Sequence, residues 1–538
     1  MTPMFRLCDD FVARWAALDP VGIGGSLAEP FSAATDYSPS GHEAWVELMS
    51  GTLSALGSVP DMSDHDRLAA AHLRERLEAQ LAWHHTGEAL RDLRTPFGLV
   101  AEVRDSVDLL PSGNDEDWRN IAARLRAIPE MFSGWRISLG EGLARGLPAA
   151  RRQAVEGAIQ ADRYAAGTHD SLVAGYGDGP LAAELAAAAK VAHAGYAEIA
   201  RYLRESYAPV AAEADAVGAE RYVVAARLTL GADIDPREAY EWGWAELARI
   251  EAEMAAEAGR VRPGATVDEA IAILDESVYV DGEDAYLDWL KARHARAIEA
   301  LDGIHFDIAP PLRAIDVVLA HGSTSGAAYY TPPSEDLSRP GRTWWPLGGQ
   351  QRFPTWNELT TVFHEGVPGH HLQLGAAATA GDSLSRFAKC TFVSGHGEGW
   401  ALYAERLADE LGWFDEQPGT RLGMLAASAM RAARVVIDIG VHLDLPLPDG
   451  SRWTFDKACE VLRERGRAEP SRVHAEVVRY FGWPGQAIAY KLGERAWLEA
   501  RAEAARRPGF DLKRWHTAAL GLGPIALASL ATELRAIG

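Results

Sequence analysis

The feature that most constrains this chain is a proline and a glycine placed between one histidine and a pair of histidines, in residues 364–371 (HEGVPGHH). An uninterrupted helix would put His370 about 240° around the axis from His364. His371 would return to the same face, but about 10.5 Å further along the axis. Proline breaks the helical hydrogen bonds and glycine accepts unusual dihedrals, so we predict that the helix bulges here. The bulge would bring either His370 or His371 back beside His364.

A His-Glu pair on a helix is typical of a zinc site. In the plain His-Glu-x-x-His pattern, two imidazoles one turn apart bind one Zn²⁺, and the glutamate takes a proton from the metal-bound water. Pro368 stands where that pattern has its second histidine. The sequence therefore predicts His364 as one ligand and leaves His370 and His371 open as the other. Glu365 is the predicted general base.

The preceding residues predict where this helix begins. Thr355 followed by Glu358 fits a capping box, which starts a helix at about Trp356. From there the apolar residues recur at the spacing of one helix face, and His364 falls in the third turn on a neighbouring face. The His-Glu pair is therefore expected on a well-started helix.

A later segment, residues 395–405 (GHGEGWALYAE), supplies the predicted third ligand. Zinc sites that begin with a His-Glu helix can be completed by a glutamate, and Glu398 follows at a suitable separation. On a helix Glu398 and Glu405 lie two turns apart on one face, so Glu405 can orient an imidazole that binds the metal. The alternative is that both carboxylates are solvated. His396 is expected to be structural or to contact substrate.

Polar residues elsewhere predict a substrate-binding surface. Tyr329 or Tyr330 either lines a cleft or packs under a loop. Arg434, Asp438 and His442 recur every four residues along an otherwise apolar helix. They form a buried network behind the metal, a site in which Arg434 holds a substrate carboxylate, or an internal salt bridge that only positions helices.

The last candidate group lies near the carboxyl end. Gln486 and Tyr490 share one face of a predicted helix. A phenol at Tyr490 suits a zinc hydrolase, because it can donate a hydrogen bond to the oxyanion of the tetrahedral intermediate. Arg479 and Tyr480 offer similar donors. The alternative for Tyr490 is ordinary helix packing.

Together these segments resemble a bacterial protein family of unknown function, DUF885. The resemblance is carried by residues 364–373, 398–405, 434–442, 479–480 and 484–487, with Tyr490 and Gly493. The family is similar, at a distance, to the helical zinc carboxypeptidases of the Taq type and to the oligopeptidase and angiotensin-converting-enzyme group. That likeness implies a helical fold with a deep cleft and peptide-bond hydrolysis. The Pro-Gly step departs from the plain motif of those peptidases.

Charge and composition exclude some classes of function. The formal net charge of −23 disfavours nucleic-acid binding, which needs concentrated lysine and arginine. Three scattered cysteines are too few for a disulfide framework or a cysteine-rich zinc site. The first ten residues contain no apolar signal segment, and no apolar run approaches the length that spans a bilayer. We therefore expect a cytoplasmic protein that binds neither nucleic acid nor membrane.

The order of sequence patterns predicts the fold class. Residues 1–300 are rich in helix-forming residues, residues 306–320 fit one or two strands, and residues 322–347 form a long irregular segment. Helical patterns resume at residue 355. We expect a mainly α fold, 1–538 as one continuous helical domain, with a small β-sheet near the active site. Two lobes, 1–302 and 303–538, are the alternative.

These observations lead to a specific functional hypothesis. The chain is expected to be a zinc metallohydrolase with one Zn²⁺ ion, a peptidase or carboxypeptidase that acts on short peptides. One alternative is a metal-dependent hydrolase of a non-peptide amide or ester. The other is a non-catalytic helical protein that kept a degenerate site and binds a peptide or partner.

Overall fold

The structure is a computed structural model that describes residues 1–23, 33–60, 62–320, 327–415, 417 and 419–536. The described chain is mainly helical with a few short strands, which confirms the mainly α fold class. Its internal contacts define two compact units, Met1–Val224 with Ala475–Pro484, and Ala225–His474 with Gly485–Gly538. The expected single continuous domain stays a prediction.

The first unit is built from helices. They are α1 (Pro3–Leu18), α2 (Pro20–Ile23), α3 (Pro39–Leu56), α4 (Asp64–His85), α5 (Leu99–Asp108), α6 (Asp115–Ala144), α7 (Arg151–Ala165), α8 (Asp170–Ala174) and α9 (Ala182–Tyr202), followed by α10 (Ala219–Leu230), which reaches into the second unit. Its main core forms where α6, α7 and α9 pack together. Buried alanines such as Ala154 on α7 and Ala192 on α9 let these helices approach closely.

The second unit continues the helical pattern. Its helices are α11 (Pro236–Val261), α12 (Val267–Ser277), α13 (Glu283–Leu301), α14 (Glu358–Glu365), α15 (His370–Thr379), α16 (Arg386–Cys390), α17 (Ser394–Glu410), α18 (Thr420–His442), α19 (Phe455–Glu464), α20 (Pro470–Gly482, which ends in the first unit), α21 (Ala489–Ala504), α22 (Leu512–Gly521) and α23 (Leu527–Ala536). Helix α18 is buried along most of its length and packs against α11, whereas α17 packs against α21. Within the described ranges, no helix combines enough length and apolar character to cross a membrane.

Short strands of the second unit form two small sheets. The strands are β1 (Tyr279–Asp281), β2 (Asp316–Ala320), β3 (Tyr329–Thr331), β4 (Arg342–Pro346) and β5 (Arg352–Pro354). β1 pairs antiparallel with β5, and the other sheet has the order β2-β4-β3, with β2 parallel and β3 antiparallel to β4. The segment 322–347 is thus less irregular than predicted, because cross-strand pairing orders β3 and β4. Residues 321–326 of that region lie outside the described residues.

The predicted capping box before α14 is wrong. The helix begins at Glu358, and its N-cap residue Asn357 makes no side-chain capping bond. The backbone N–H of Thr355 instead donates to the carbonyl of Val278 at 2.9 Å, which continues the β1–β5 pairing. The pairing with the neighbouring strand therefore takes the residue that the sequence pattern assigned to the cap.

Candidate metal centre

The predicted interruption of the His-Glu helix is confirmed, and it is a complete break between two helices. Helix α14 ends at Glu365 and α15 begins at His370. Across the break the N–H of Gly369 donates to the carbonyl of Phe363 at 3.0 Å. A Cβ atom at position 369 would lie 1.9 Å from the carbonyl oxygen of His364, so only glycine permits this close return of the backbone.

The break brings His370 together with His364 and Glu398, and these three residues are called the His-His-Glu cluster below. One ligand atom of each lies within 4.8 Å of the others. Oε2 of Glu398 is 3.4 Å from Nε2 of His364 and 3.5 Å from Nε2 of His370. Bonds of about 2.1 Å in a tetrahedral shell separate neighbouring ligands by about 3.4 Å. These donor atoms and spacings fit Zn²⁺.

His371 lies outside the cluster, although the sequence left it open as a ligand. Its Nε2–H donates to the carbonyl of Leu312 at 2.9 Å, and Nδ1 is 3.0 Å from the hydroxyl of Tyr330. Since the carbonyl can only accept, Nδ1 is the acceptor for that hydroxyl. Burial lowers the pKa of His371, which favours this neutral form. Both ring nitrogens are therefore used in packing α15 against its neighbours.

The charges within the cluster depend on one another. Burial alone would raise the pKa of Glu398, but the nearby imidazoles of His364 and His370 outweigh this effect and hold that pKa well below its usual range. Burial would lower the pKa of His364, but the nearby carboxylates of Glu398 and Glu405 raise it to about 9. Among the described residues, the buried Glu398 Oε2 and His370 Nδ1 have no partner that meets hydrogen-bond geometry. A cation bound here would take the place of the Nε2 proton of His364, beside the carboxylate of Glu398.

Glu405 orients His364 from the side away from the cluster. Nδ1–H of His364 donates to Oε1 of Glu405 at 2.8 Å, and the hydroxyl of Thr360 donates to Oε2 at 2.5 Å. A proton on Nδ1 leaves Nε2 available toward Glu398. This is the position that the sequence predicted for Glu405.

Arg431 also belongs to this group, and the sequence analysis missed it. Its guanidinium lies 3.3 Å from Oε1 of Glu405 and 3.4 Å from Nδ1 of His364. Because Nδ1–H points at the carboxylate, the favourable contact of Arg431 is with Glu405. Arg431 is one turn before Arg434 on α18, so extending that polar stripe upstream would have found it.

Glu365 lies beside the cluster on α14. Its Oε1 is 4.0 Å from Nε2 of His364. Burial raises the pKa of Glu365, and the negative charge of Glu398 adds to the rise, against the opposing effect of the histidines. A buried carboxylate with a raised pKa holds a proton more readily than a solvated one, which a general base requires.

Tyr490 lies near the same charged groups. The guanidinium carbon of Arg434 is 4.9 Å from the centre of the Tyr490 ring, and that of Arg431 is 5.9 Å away. Since Arg431 contacts His364, a single side chain separates Tyr490 from the cluster. Gln486, one turn earlier, is buried.

The helices that carry Glu398 and Tyr490 cross at a pair of glycines. A Cβ added to Gly399 on α17 would lie 2.4 Å from the carbonyl carbon of Gly493 on α21. A Cβ added to Gly493 would lie 2.1 Å from the carbonyl oxygen of Gly395. The two backbones are therefore in direct contact one residue beyond Glu398 and three residues beyond Tyr490.

The other members of the α18 stripe point elsewhere. Oδ2 of Asp438 accepts a 3.0 Å bond from the N–H of Gly485, and Nε2 of His442 is 3.8 Å from Oδ1 of the same carboxylate. Both side chains are fully buried. This pair fits the interpretation as an internal network, whereas Arg434 contacts Tyr490.

Two further candidates, Tyr329 and His396, contact residues outside the His-His-Glu cluster. Tyr329 stacks on Trp344 of the neighbouring strand, with 5.8 Å between ring centres, and is 40% exposed. Nδ1 of His396 is 3.0 Å from the side-chain nitrogen of Gln373, and burial lowers the pKa of His396 to about 3, which fits a structural role.

Arg479 and Tyr480 belong to the first unit, where both bind Glu476, at 2.8 and 2.5 Å. Their predicted role as donors to the substrate stays a prediction.

Comparisons with known proteins identify a family and a fold. Residues 22–534 match the family described as "Bacterial protein of unknown function (DUF885)". The crystal structure of a "putative lipoprotein" from Colwellia psychrerythraea is similar, with a TM-score of 0.85 and 21% identity over 99% of this chain and 97% of that chain. A "putative lipoprotein of unknown function" from Shewanella oneidensis has a TM-score of 0.75 and 16% identity over 99% of this chain and 100% of that chain. At these identities the likeness shows the fold alone. No curated protein matches the chain.

Proposed function

We propose that this chain, which belongs to the bacterial family DUF885, is a zinc-dependent hydrolase that cleaves peptide bonds in short peptides. The observation that carries the proposal is the convergence of His364, His370 and Glu398 on one point, with spacings that suit a tetrahedral cation. A helical fold with a cleft, related at a distance to the helical zinc carboxypeptidases, is part of the same proposal.

Contacts elsewhere in the chain position two of the three proposed metal ligands, His364 and His370. Glu405 fixes the ring of His364, and the break between α14 and α15 returns His370 to the first histidine. The indole N–H of Trp400, two residues beyond Glu398, donates to the carbonyl of Pro368 within the break at 2.8 Å. The helix that carries the carboxylate is thereby tied to the turn that delivers the second imidazole. A bound Zn²⁺ supplies Lewis-acid chemistry, which polarises a carbonyl and makes water more acidic.

Glu365 is the proton carrier in this mechanism. It lies next to His364, and its raised pKa suits a group that accepts a proton from water and then gives it to the leaving amine. Burial keeps the carboxylate from being screened by bulk water.

Tyr490 and Arg434 supply hydrogen-bond donors to the substrate. The guanidinium of Arg434 lies over the ring face of Tyr490 and restrains the ring. In the proposal the phenol donates to the oxyanion as the carbonyl becomes tetrahedral, and Arg434 offers a cation for a peptide carboxylate.

Metal analysis combined with a Glu365→Gln variant tests the proposal. The protein is purified without added zinc, its metal content is measured, and hydrolysis of a panel of dipeptides and tripeptides is followed. We expect about one zinc per chain and a loss of about 10³-fold in kcat for the variant, with the zinc retained. Glu335→Gln, which removes a carboxylate paired with Arg386, is the matched control and should leave turnover unchanged.

Three results would contradict the proposal or its choice of substrate. A protein that binds no divalent cation stoichiometrically would exclude the metal centre. Equal turnover by wild type and Glu365→Gln would exclude Glu365 as the base even if the metal is present. Metal binding without hydrolysis of any peptide would instead favour a non-peptide amide or ester as the substrate.

A further inference from the structure

We infer that Phe392 forms an apolar subsite beside the candidate metal centre and receives an aromatic or aliphatic side chain of the substrate. This inference rests on the proposed function and adds a substrate class to it. Phe392 lies in the short connection between α16 and α17, and 45% of its surface is exposed. A single exposed apolar residue is common on protein surfaces, so its exposure alone indicates nothing. Its position supplies the argument.

The ring of Phe392 lies against two members of the His-His-Glu cluster. Its centre is 6.3 Å from the centre of the His370 ring, with an angle of 66° between the planes, which is an edge-on contact. A Cβ atom at Gly397 would lie 2.2 Å from a ring carbon of Phe392, so the ring fills the space over the residue that precedes Glu398. The same side chain thus contacts one predicted ligand and the backbone next to another.

The residues on both sides of Phe392 fix its backbone. Val393 is fully buried, and its carbonyl accepts a 2.9 Å hydrogen bond from the N–H of Gly397. The hydroxyl of Thr391 donates to the carbonyl of Phe387 at 2.9 Å. An apolar surface is therefore held at a set position beside the metal ligands and still has about half of its area open to solvent.

A group bound to the metal would bring its neighbouring side chain next to this surface. Covering the open part of the ring removes apolar area from water, which favours an aromatic or branched aliphatic side chain over hydrogen or methyl. Differences of this size in an apolar contact change binding by about 10-fold or more. Gly397 is as important as the phenylalanine, because any larger residue there would displace the ring.

Binding of two small zinc chelators tests the subsite without requiring turnover. Zinc-loaded wild-type protein is titrated with acetohydroxamate and with phenylacetohydroxamate in a calorimeter. We expect the phenyl compound to bind about 10-fold more tightly. Phe392→Ala should bring the two affinities within about 2-fold, and Phe392→Leu should restore most of the difference because it keeps an apolar contact. Ile304→Ala, which truncates a residue that is 64% exposed elsewhere in the second unit, is the control and should keep the wild-type ratio.

The outcomes separate this inference from the proposed function. Equal affinity of the two chelators for wild type would overturn the subsite and leave the metal centre intact. A preference for the phenyl compound that persists in Phe392→Ala would show that another residue provides it, which also overturns the assignment. Failure of both chelators to bind the zinc-loaded protein would contradict the open metal centre itself. Zinc content is measured for every variant, so that loss of metal is distinguished from loss of the apolar contact.

Discussion

Two buried clusters of charged residues in the second unit differ in how completely their hydrogen bonds are made. The ammonium of Lys491, which is 1% exposed, lies 2.8 Å from Glu246 and 3.3 Å from Ser428, and it also binds Glu494. Its three donors are thus all used. In the His-His-Glu cluster, by contrast, described buried atoms of Glu398 and His370 lack hydrogen-bond partners.

In the proposed function, the difference separates a structural ion network from a binding site. A buried charge costs free energy unless it is paired, so a network that only supports the fold tends to complete its bonds. Atoms of Glu398 and His370 that lack such bonds and lie close together support the proposal that a cation completes them. The two clusters should therefore respond in opposite ways when a member is removed.

The largest effect is expected for Lys491→Met. This change leaves the carboxylates of Glu246 and Glu494 buried without their cation, which should lower the free energy of unfolding by about 4 kcal/mol. Zinc affinity of the folded protein should stay the same. Urea unfolding of the metal-free protein measures the first quantity, and competition with a chromogenic chelator measures the second. Lys457→Met, at a solvent-screened pair with Glu460, should have little effect on stability.

His370→Ala should have the opposite profile. Removal of one of three protein ligands should weaken zinc binding by about 100-fold or more, while the metal-free protein loses little stability. His371→Gln is the matched comparison, because His371 bonds to Leu312 and Tyr330 and lies outside the cluster. A larger loss of zinc affinity in His371→Gln than in His370→Ala would contradict the assignment of the second ligand.

Glu405→Gln is expected to have a smaller effect on the same affinity. A neutral amide accepts a weaker hydrogen bond from Nδ1–H of His364 than a carboxylate does. Zinc binding should therefore weaken by about 10- to 100-fold. Glu410→Gln on the same helix, which removes a partner of Arg501, is the control. An unchanged affinity in Glu405→Gln would show that the ring of His364 is fixed by other contacts.

Glu358, at the start of α14, should make the stability of the protein depend on pH. Burial raises its pKa to about 7, against the opposing effect of Arg472, from an ordinary value of 4.5. Between these two values the folded protein holds a proton that the unfolded chain has lost, so stability falls as the pH rises from 4.5 to 7. Glu358→Gln, which does not titrate, should equal wild type in stability at pH 4 and become progressively more stable than wild type as the pH rises to 8. Melting temperatures across this range measure the difference, and a gain at pH 4 would contradict it.

Much of the candidate site follows from local sequence patterns. The spacing of Glu398 and Glu405 on one helix face, and the break after Glu365, depend only on helix geometry and on proline and glycine. The mainly α class follows similarly from residue composition and periodicity. These features are local, so the sequence contains the information directly.

Other features depend on residues that are distant along the chain. The choice between His370 and His371 depends on a carbonyl at Leu312 and a hydroxyl at Tyr330, which no pattern near residue 370 reveals. Thr355 fits a capping box, but the carbonyl of Val278, just before β1, accepts its N–H. In each case a tertiary hydrogen bond decides between alternatives that local propensity leaves nearly equal.

The contact of Gly399 with Gly493 limits how the protein can diversify. Both positions have no room for even a methyl group, because each faces the backbone of the other helix. Any single substitution at either residue would push apart the helices that bear Glu398 and Tyr490. Members of the family that acquired new substrates would therefore be expected to vary exposed positions such as Phe392 and to keep the distance between the carboxylate and the phenol nearly constant.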